Sequence, residues 1–292
     1  MDWEIRLTTL YVYICEQYRN HLWIHCQRMS NNANPEFTDE EIITIYLWGI
    51  MQYRRDIKRI YDYTKDHLKE WFPHLPSYEG YIQRINKLNS VFPVLAELIK
   101  ADFPKFNVLK NICLIDSMPI IMAKEKRSSK ATVANHFANK SYNASKGCYY
   151  YGVKAHILGY RRPGTIPLPE YIGLTPASDH DLTVLRAISP YLNEGELYAD
   201  KAYIDGMLKQ ILQQEQNMTL QTPVKKAKGQ ERLTMFEQLF STSVSRVRQP
   251  IESLFNWIEE KTGIQVASKV RSFNGLMVHV FGRLAAAMFM LV

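Results

Sequence analysis

The sequence predicts an α/β protein in which a mixed sheet is flanked by helices and preceded by a small all-helical domain. Three observations lead to this prediction. Apolar residues recur at helical spacing through roughly the first 100 residues. Strand-like apolar runs begin near residue 111 and continue to about residue 175. From residue 178 onward, helical and strand-like segments alternate, which is typical of a sheet covered by helices.

Composition restricts the class of protein. The 292 residues are 46% hydrophobic and 22% charged, as in a folded globular chain. The net charge of +7 favours polyanionic partners. The four cysteines include no Cys-x-x-Cys pair, which predicts reduced thiols, a cytoplasmic protein and no cysteine zinc site. The apolar C-terminal segment contains His279 and Arg283, so it predicts a core helix and not a membrane span.

The predicted helical domain covers residues 1–105. Thr38 and Glu41 match a capping box, which predicts a helix start. Ser77 is predicted to begin another helix that runs towards Leu98. Basic residues on these helices suit a DNA-binding module, although a solvated surface explains any single charge as well.

Two apolar runs end in an aspartate. Residues 111–116 predict a buried strand that ends at Asp116, and Leu197–Ala199 precede Asp200 in the same way. A carboxylate in a central strand is unfavourable unless it is paired, hydrogen-bonded or bound to a metal. Taken alone, Asp116 could equally cap the next turn through its own backbone.

A long helix is predicted from about Thr234 to Lys261. Its apolar residues fall on one stripe at a period of 3.6 residues, and Glu252 lies on the flank of that stripe. Pro250 inside the helix should weaken or kink it. The flank position would let Glu252 meet the edge of the sheet without being fully buried.

Two basic segments are predicted to be loops that contact phosphates. Residues 124–147 carry six basic residues against one acid, and residues 223–232 are also basic. The residues predicted to bind DNA in these segments are Lys124, Lys126, Arg127, Lys225, Lys226 and Lys228.

The three acids Asp116, Asp200 and Glu252 suit divalent-metal chemistry. Carboxylate oxygens are the ligands that Mg²⁺ prefers, and the ion usually keeps waters and takes substrate phosphate as a further ligand. Two ions about 4 Å apart can activate an attacking oxygen and stabilise a leaving one at a phosphodiester. Such chemistry needs no side-chain nucleophile, and the sequence contains neither a P-loop nor a Gly-x-Ser-x-Gly motif.

Five segments follow the order seen in bacterial insertion-sequence transposases: Leu-Ile-Asp-Ser-Met-Pro at 114–119, Tyr-Gly-Val-Lys-Ala-His at 151–156, Ser-Asp-His-Asp-Leu at 178–182, Tyr-Ala-Asp-Lys-Ala-Tyr at 198–203 and Arg-x-x-x-Glu at 248–252. From about Phe37 to the C-terminus the chain resembles DDE transposases, most closely the insertion sequence 982 group. Related transposases often have Tyr three residues before the Arg and Lys seven after the Glu, where this chain has Ser245 and Glu259.

The resemblance implies an RNase H-like catalytic domain over residues 106–292. It implies that Asp116, Asp200 and Glu252 are both the catalytic and the metal-binding residues, with two Mg²⁺ ions and Mn²⁺ as an alternative. Lys201 and Arg248 are expected to hold phosphates. His180 and Asp181 are expected either to orient metal ligands or to cap a helix.

The function implied is DNA transposition, by cleavage and strand transfer at element ends. The implied partners are terminal inverted repeats and target DNA, bound by a homodimer in the bacterial cytoplasm at the nucleoid, with no membrane. Two other functions stay open: an RNase H-like nuclease without strand transfer, and a non-catalytic DNA-binding descendant. The intact Asp, Asp and Glu argue against the descendant.

Overall fold

The computed structural model describes residues 2–28, 35–102, 107–144 and 146–291, which form two compact units. One unit is Met1–Pro104 with Ile258–Val292, and the other is Lys105–Trp257. The boundary predicted between residues 105 and 106 involves residues outside the described ones. The structure differs from the predicted range 106–292 because residues 258–292 pack with the N-terminal helices.

The first unit is helical. Its helices are α1 (Trp3–Gln17), α2 (Asp39–Met51), α3 (Ile57–His67), α4 (Tyr78–Lys87), α5 (Val91–Ala101) and, from the C-terminal segment, α9 (Phe273–Leu291). The capping box is confirmed: Thr38 Oγ1 accepts from the Glu41 amide at 3.3 Å, and Glu41 Oε2 accepts from the Thr38 amide at 2.7 Å. Ser77 is confirmed as the cap of α4.

The single helix predicted from Ser77 towards Leu98 is wrong. The chain forms α4 and α5 with a break between Lys87 and Val91. Pro93 explains the break, since a proline has no amide hydrogen and its ring clashes with the preceding turn of a continuous helix. The first turn of a new helix tolerates it, which is where α5 places it.

Helix α9 is long and apolar enough to cross a membrane by length and composition alone. In the structure, however, 61% of its apolar window is buried inside the protein. Helix α9 packs most extensively against α5 and α2, and His279 and Arg283 are buried. This is the packing expected of the predicted core helix.

The second unit contains a six-stranded mixed sheet. Its strands are β1 (Leu109–Lys124), β2 (Asn139–Asn143), β3 (Cys148–Arg161), β4 (Leu168–Pro176), β5 (Gly195–Tyr198) and β6 (Met218–Gln221). Strands β1, β3 and β4 form an antiparallel meander, and β2 also pairs with β3. Strands β5 and β6 extend the sheet in parallel from β1. The predicted α/β class is therefore confirmed.

Three helices flank this sheet: α6 (Asp181–Ile188), α7 (Gly206–Glu215) and α8 (Met235–Thr262). Apolar residues of α6 and α7 join those of β1 and β5 in one buried cluster, whose members include Ile115, Leu185, Leu197, Tyr203 and Leu212. The predicted stripe of α8 is buried at Val244, Ile251 and Leu254, and Pro250 lies inside the helix as predicted.

Two predictions about the strands are wrong. Strand β1 does not end at Asp116 but continues to Lys124, because β3 is long enough to pair with it as far as Lys124 and Tyr150. The segment 124–147 is not simply a loop, since it contains a short 3₁₀ helix and strand β2. Strand β2 forms because β4 pairs with β3 only from Val153 onward, which leaves one edge of residues 148–152 free. Along this edge Tyr142 lies opposite Tyr149.

Candidate active site

Asp116 and Asp200 occupy equivalent positions on neighbouring parallel segments. Leu114 of β1 pairs with Tyr198 of β5. Asp116 lies two residues after Leu114, and Asp200 lies two residues after Tyr198. Because side chains alternate along a strand, both aspartates leave the sheet on the same face. Asp116 thus lies where the pairing with β5 has just ended, although β1 itself continues.

Local hydrogen bonds orient both carboxylates. Asp116 Oδ1 accepts from the amide of Ser117 at 2.8 Å. Asp200 caps the short 3₁₀ helix Lys201–Tyr203, and its Oδ1 accepts from the amide of Ala202 at 2.5 Å. Each aspartate is therefore held by the backbone that follows it. Asp200 caps a turn, whereas the capping role considered for Asp116 is wrong, because β1 continues past it and no turn follows.

Arg248 links the third acid to the first. Its Nη1 donates to Asp116 Oδ2 at 2.6 Å, and its Nη2 donates to Glu252 Oε1 one turn along α8. The side chains of Arg248 and Asp116 are 15% and 18% exposed, whereas that of Glu252 is 52% exposed. The structure therefore brings Glu252 to the same side of the sheet as Asp116, on the exposed flank of its helix.

An open cleft of about 660 Å³ contains much of this chemistry. Asp200 and Glu252 line it together with three cationic side chains, Lys201, Arg246 and Arg248. Such a mixture of acids and cations can hold a phosphate beside carboxylates. Arg246 was missed by the sequence reasoning. Arg246 lies one turn before Pro250, on the same face of α8 as Gln249, which also lines the cleft.

Burial governs the charge of Asp116. Burial is the largest cause that raises the pKa of the Asp116 carboxyl, Arg248 and the Ser117 amide oppose it, and the negative charges of Asp200 and Asp181 add to it, so that the pKa is about 6. Desolvation and like charges both disfavour a carboxylate. The site therefore holds more negative charge than Arg248 alone neutralises.

A second ion pair lies close by. Lys154 Nζ donates to Asp181 Oδ1 at 2.6 Å and also to the backbone carbonyl of Asp179. His180 caps α6, with its Nδ1 accepting from the Leu182 amide at 3.2 Å, which confirms the capping alternative for this residue. Asp181 instead binds Lys154, a residue that the sequence reasoning quoted in a motif but did not assign to the site.

The other residues predicted to bind DNA lie outside the residues that line the cleft. Lys124, Lys126 and Arg127 are exposed at the end of β1 and in the short helix that follows. Residues Lys225, Lys226 and Lys228 are exposed between β6 and α8, and Lys226 donates to the carbonyl of Glu231 at 2.7 Å. Of the eight residues predicted to bind DNA, Lys201 and Arg248 line the cleft.

The three acids are not preassembled around a cation. Within the described ranges, no group of three or more His, Cys, Asp or Glu side chains is arranged to hold a metal ion. The donor set itself fits a hard divalent cation, because it consists of carboxylate oxygens. A guanidinium already lies between Asp116 and Glu252, so this position accommodates positive charge.

The chain is similar to one described family of proteins. A family model described as "Transposase DDE domain" matches residues 106–272, which is more than half of the chain. No curated protein and no solved structure was found to match.

Proposed function

The chain belongs to the family of transposase DDE domains, and from that premise we propose that it is the DNA transposase of a bacterial insertion sequence of the 982 group. The proposed reaction is metal-dependent cleavage of phosphodiesters at the element ends, followed by strand transfer into target DNA. The proposed nucleophiles are water and a DNA 3′-hydroxyl, so no covalent protein–DNA intermediate forms.

One observation carries the proposal: Asp116 and Asp200 lie at equivalent positions on one face of the sheet, and Arg248 ties Glu252 to Asp116. These are the acids of the three segments that resemble transposase motifs. A structural ion pair alone would not require a second aspartate beside it or an open cleft with Lys201 and Arg246.

The strand arrangement supports an RNase H-like fold. Four strands with antiparallel pairing, β1 to β4, are followed in sequence by β5 and β6, which extend the sheet in parallel from β1. This order places the end of β5 beside the middle of β1, so that two acids distant in sequence become neighbours. We propose that the helices of residues 1–105 bind the terminal repeats and that the protein acts as a homodimer on DNA.

Asp116, Asp200 and Glu252 would hold the divalent cation, Mg²⁺ or Mn²⁺ and in two copies, which when bound supplies charge stabilisation at the attacking and leaving oxygens. The other tasks fall to residues of this chain. Lys201 and Arg246 are placed to bind phosphate oxygens in the cleft. Arg248 is placed to do the same when its contacts with the acids open, because its two Nη groups can donate to two oxygens of one phosphate.

The test is cleavage of element-end DNA by a Glu252→Gln variant. Glutamine keeps the volume and most of the hydrogen-bonding capacity but removes the charge that a divalent ion requires. We expect cleavage with Mg²⁺ to fall by several orders of magnitude, while gel-shift affinity for the DNA persists. The matched control is Glu260→Gln, an exposed glutamate two turns further along α8, which should cleave normally.

The same experiment distinguishes the alternatives. Normal cleavage by Glu252→Gln would reject this residue as the third acid, and loss of cleavage by Glu260→Gln would assign the role there. Cleavage by the unmodified protein without joined products would favour a nuclease without strand transfer. DNA binding without any cleavage would favour the non-catalytic descendant.

A further inference from the structure

Two exposed tyrosines contact each other near the end of the hairpin formed by β2 and β3. Tyr142 of β2 pairs with Tyr149 of β3, and their ring centroids are 5.0 Å apart. Each of the two residues is 53% exposed. The next two tyrosines of β3 differ, since Tyr150 and Tyr151 are buried and Tyr151 Oη donates to the carbonyl of Val133 at 3.0 Å. Folding therefore buries two tyrosines of this run and leaves an aromatic pair in contact with solvent.

The strand register places this pair on the face of the sheet that carries the acids. Asp116 of β1 lies opposite Ile157 of β3, so these two side chains share one face. Side chains alternate along a strand, and Tyr149 stands eight residues before Ile157, so it shares that face as well. At about 3.3 Å per residue, the tyrosines lie at most about 26 Å along the strand from the acid. This distance is the length of about eight base pairs of DNA.

Positive charge adjoins the tyrosine pair. Lys140 Nζ lies 4.7 Å from the centroid of the Tyr149 ring and donates to Ser129 Oγ at 3.0 Å, which ties β2 to the short helix after β1. Four further exposed cations lie at the end of β1, in this short helix and directly after it: Lys124, Lys126, Arg127 and Lys130. Such a surface complements a polyanion, and nucleic acid is a polyanion that also offers flat rings able to stack on tyrosine.

We propose that Tyr142 and Tyr149 stack on an unpaired base of DNA, while Lys140 binds a neighbouring phosphate. Bases inside a duplex are already stacked on each other, so a tyrosine can stack only on a base that has left the duplex or belongs to a single strand. The inference deepens the proposed function by naming the state of the DNA that this surface binds. It rests on that function in taking DNA as the ligand.

The experiment measures the affinity of the full-length protein for two forms of one oligonucleotide of mixed sequence: the single strand, and the same strand annealed to its complement. EDTA is present, so that binding is measured without cleavage. Tyr142→Leu and Tyr149→Leu each remove one ring but keep an apolar side chain and the same charge. We expect each variant to bind the single strand about 5- to 150-fold more weakly. Duplex affinity and the salt dependence should stay unchanged, because no cation is lost.

Two control variants separate stacking from a structural role of the pair. Tyr149→Phe keeps the ring and should bind both forms of DNA as the wild-type protein does. Tyr191→Leu removes a tyrosine that is 82% exposed just after α6, a helix that packs on the opposite face of the sheet, and should change neither affinity. Thermal unfolding verifies that each variant is folded.

A second measurement needs no substitution. Photocrosslinking of a single strand that contains bromodeoxyuridine to the wild-type protein should label Tyr142 or Tyr149. Labels confined to residues outside the hairpin would overturn this inference alone. So would an unchanged single-strand affinity of both Leu variants, or an equal loss of affinity for the two forms of DNA. If the wild-type protein bound neither form, the DNA-binding part of the proposed function and this inference would be rejected together.

Discussion

Each unit contains a cluster of acids and arginines, and the two clusters have opposite charge balance. In the first unit one carboxylate serves two cations: Asp39, only 3% exposed, accepts from Arg28 Nη2 at 2.8 Å and from Arg84 Nε at 2.7 Å. Arg84 also donates to the backbone carbonyl of Cys26 at 2.7 Å. This cluster joins α2 and α4 to the residues after α1, and it leaves no anion in excess.

In the second unit one cation serves two carboxylates, since Arg248 donates to both Asp116 and Glu252. Asp200 and Asp181 add further negative charge near Asp116. A buried ion pair with its charges balanced is what a fold needs, whereas an excess of buried negative charge weakens the fold and favours the binding of cations. The difference teaches that charge balance, more than the presence of an ion pair, separates a structural cluster from a functional one.

The largest effect is expected from neutralising the balanced cluster. Asp39→Asn should lower the free energy of unfolding by about 3–5 kcal/mol, because it leaves two guanidiniums at a buried site without their anion. Urea unfolding at pH 7 measures the change. The control is Asp62→Asn, which removes an exposed pair with Lys58 and should change stability by less than about 1 kcal/mol. Equal effects of the two substitutions would refute the structural role assigned to Asp39.

A smaller effect of opposite sign is expected from Asp116→Asn. The pKa of Asp116 is raised to about 6, so the folded state binds this proton more tightly than the unfolded state does. The free energy of unfolding therefore falls as the pH rises from about 4 to about 6, and this loss of stability is complete above that range. Without metal at pH 7, the variant should be as stable as the wild-type protein or more so, by about 3 kcal/mol at most, since the pKa is raised by about two units and each unit corresponds to about 1.4 kcal/mol.

Urea unfolding of both proteins from pH 4 to pH 8 tests this expectation. The difference between them should be small near pH 4 and should grow up to about pH 6–7. A difference that does not depend on pH, or one that favours the wild-type protein at pH 7, would mean that the charge of Asp116 is already balanced in the fold.

The smallest effect concerns lysines that belong to neither cluster. Within the described residues, Lys225, Lys226 and Lys228 form no ion pair with a carboxylate. Replacing all three by Gln should leave stability unchanged and lower the slope of log affinity for DNA against log salt by about 1 per lost contact. Lys209→Gln on α7 is the control. Unchanged slopes with altered binding to particular sequences would indicate that this loop reads bases.

Local signals in the sequence predicted the elements well. Thr38 and Glu41 cap α2 as expected, and the stripe of α8 is buried with Glu252 on its flank, because capping and periodicity depend on neighbouring residues alone. The identity of the acids came from their motifs, and the structure places all three on one side of the sheet. Their role in catalysis stays a prediction.

Features that depend on distant partners could not be predicted in this way. The extension of β1 beyond Asp116 depends on the length of β3, and the formation of β2 depends on the free edge of that same strand. The contact between Arg248 and Asp116 joins residues that are 132 positions apart. Lys154 and Asp181 likewise meet only when α6 packs on the sheet. No local pattern carries information of this kind.

The position of Arg248 has a consequence for how the protein matures. Metal-dependent domains whose ligands cannot come together without the ion stay unfolded until they acquire it. Here the chain carries its own counterion, since the guanidinium of α8 already offsets the carboxylates of β1 and of its own helix. We therefore expect newly synthesised chains to fold without waiting for a divalent cation. The supply of that cation would then limit catalysis but not the yield of folded protein.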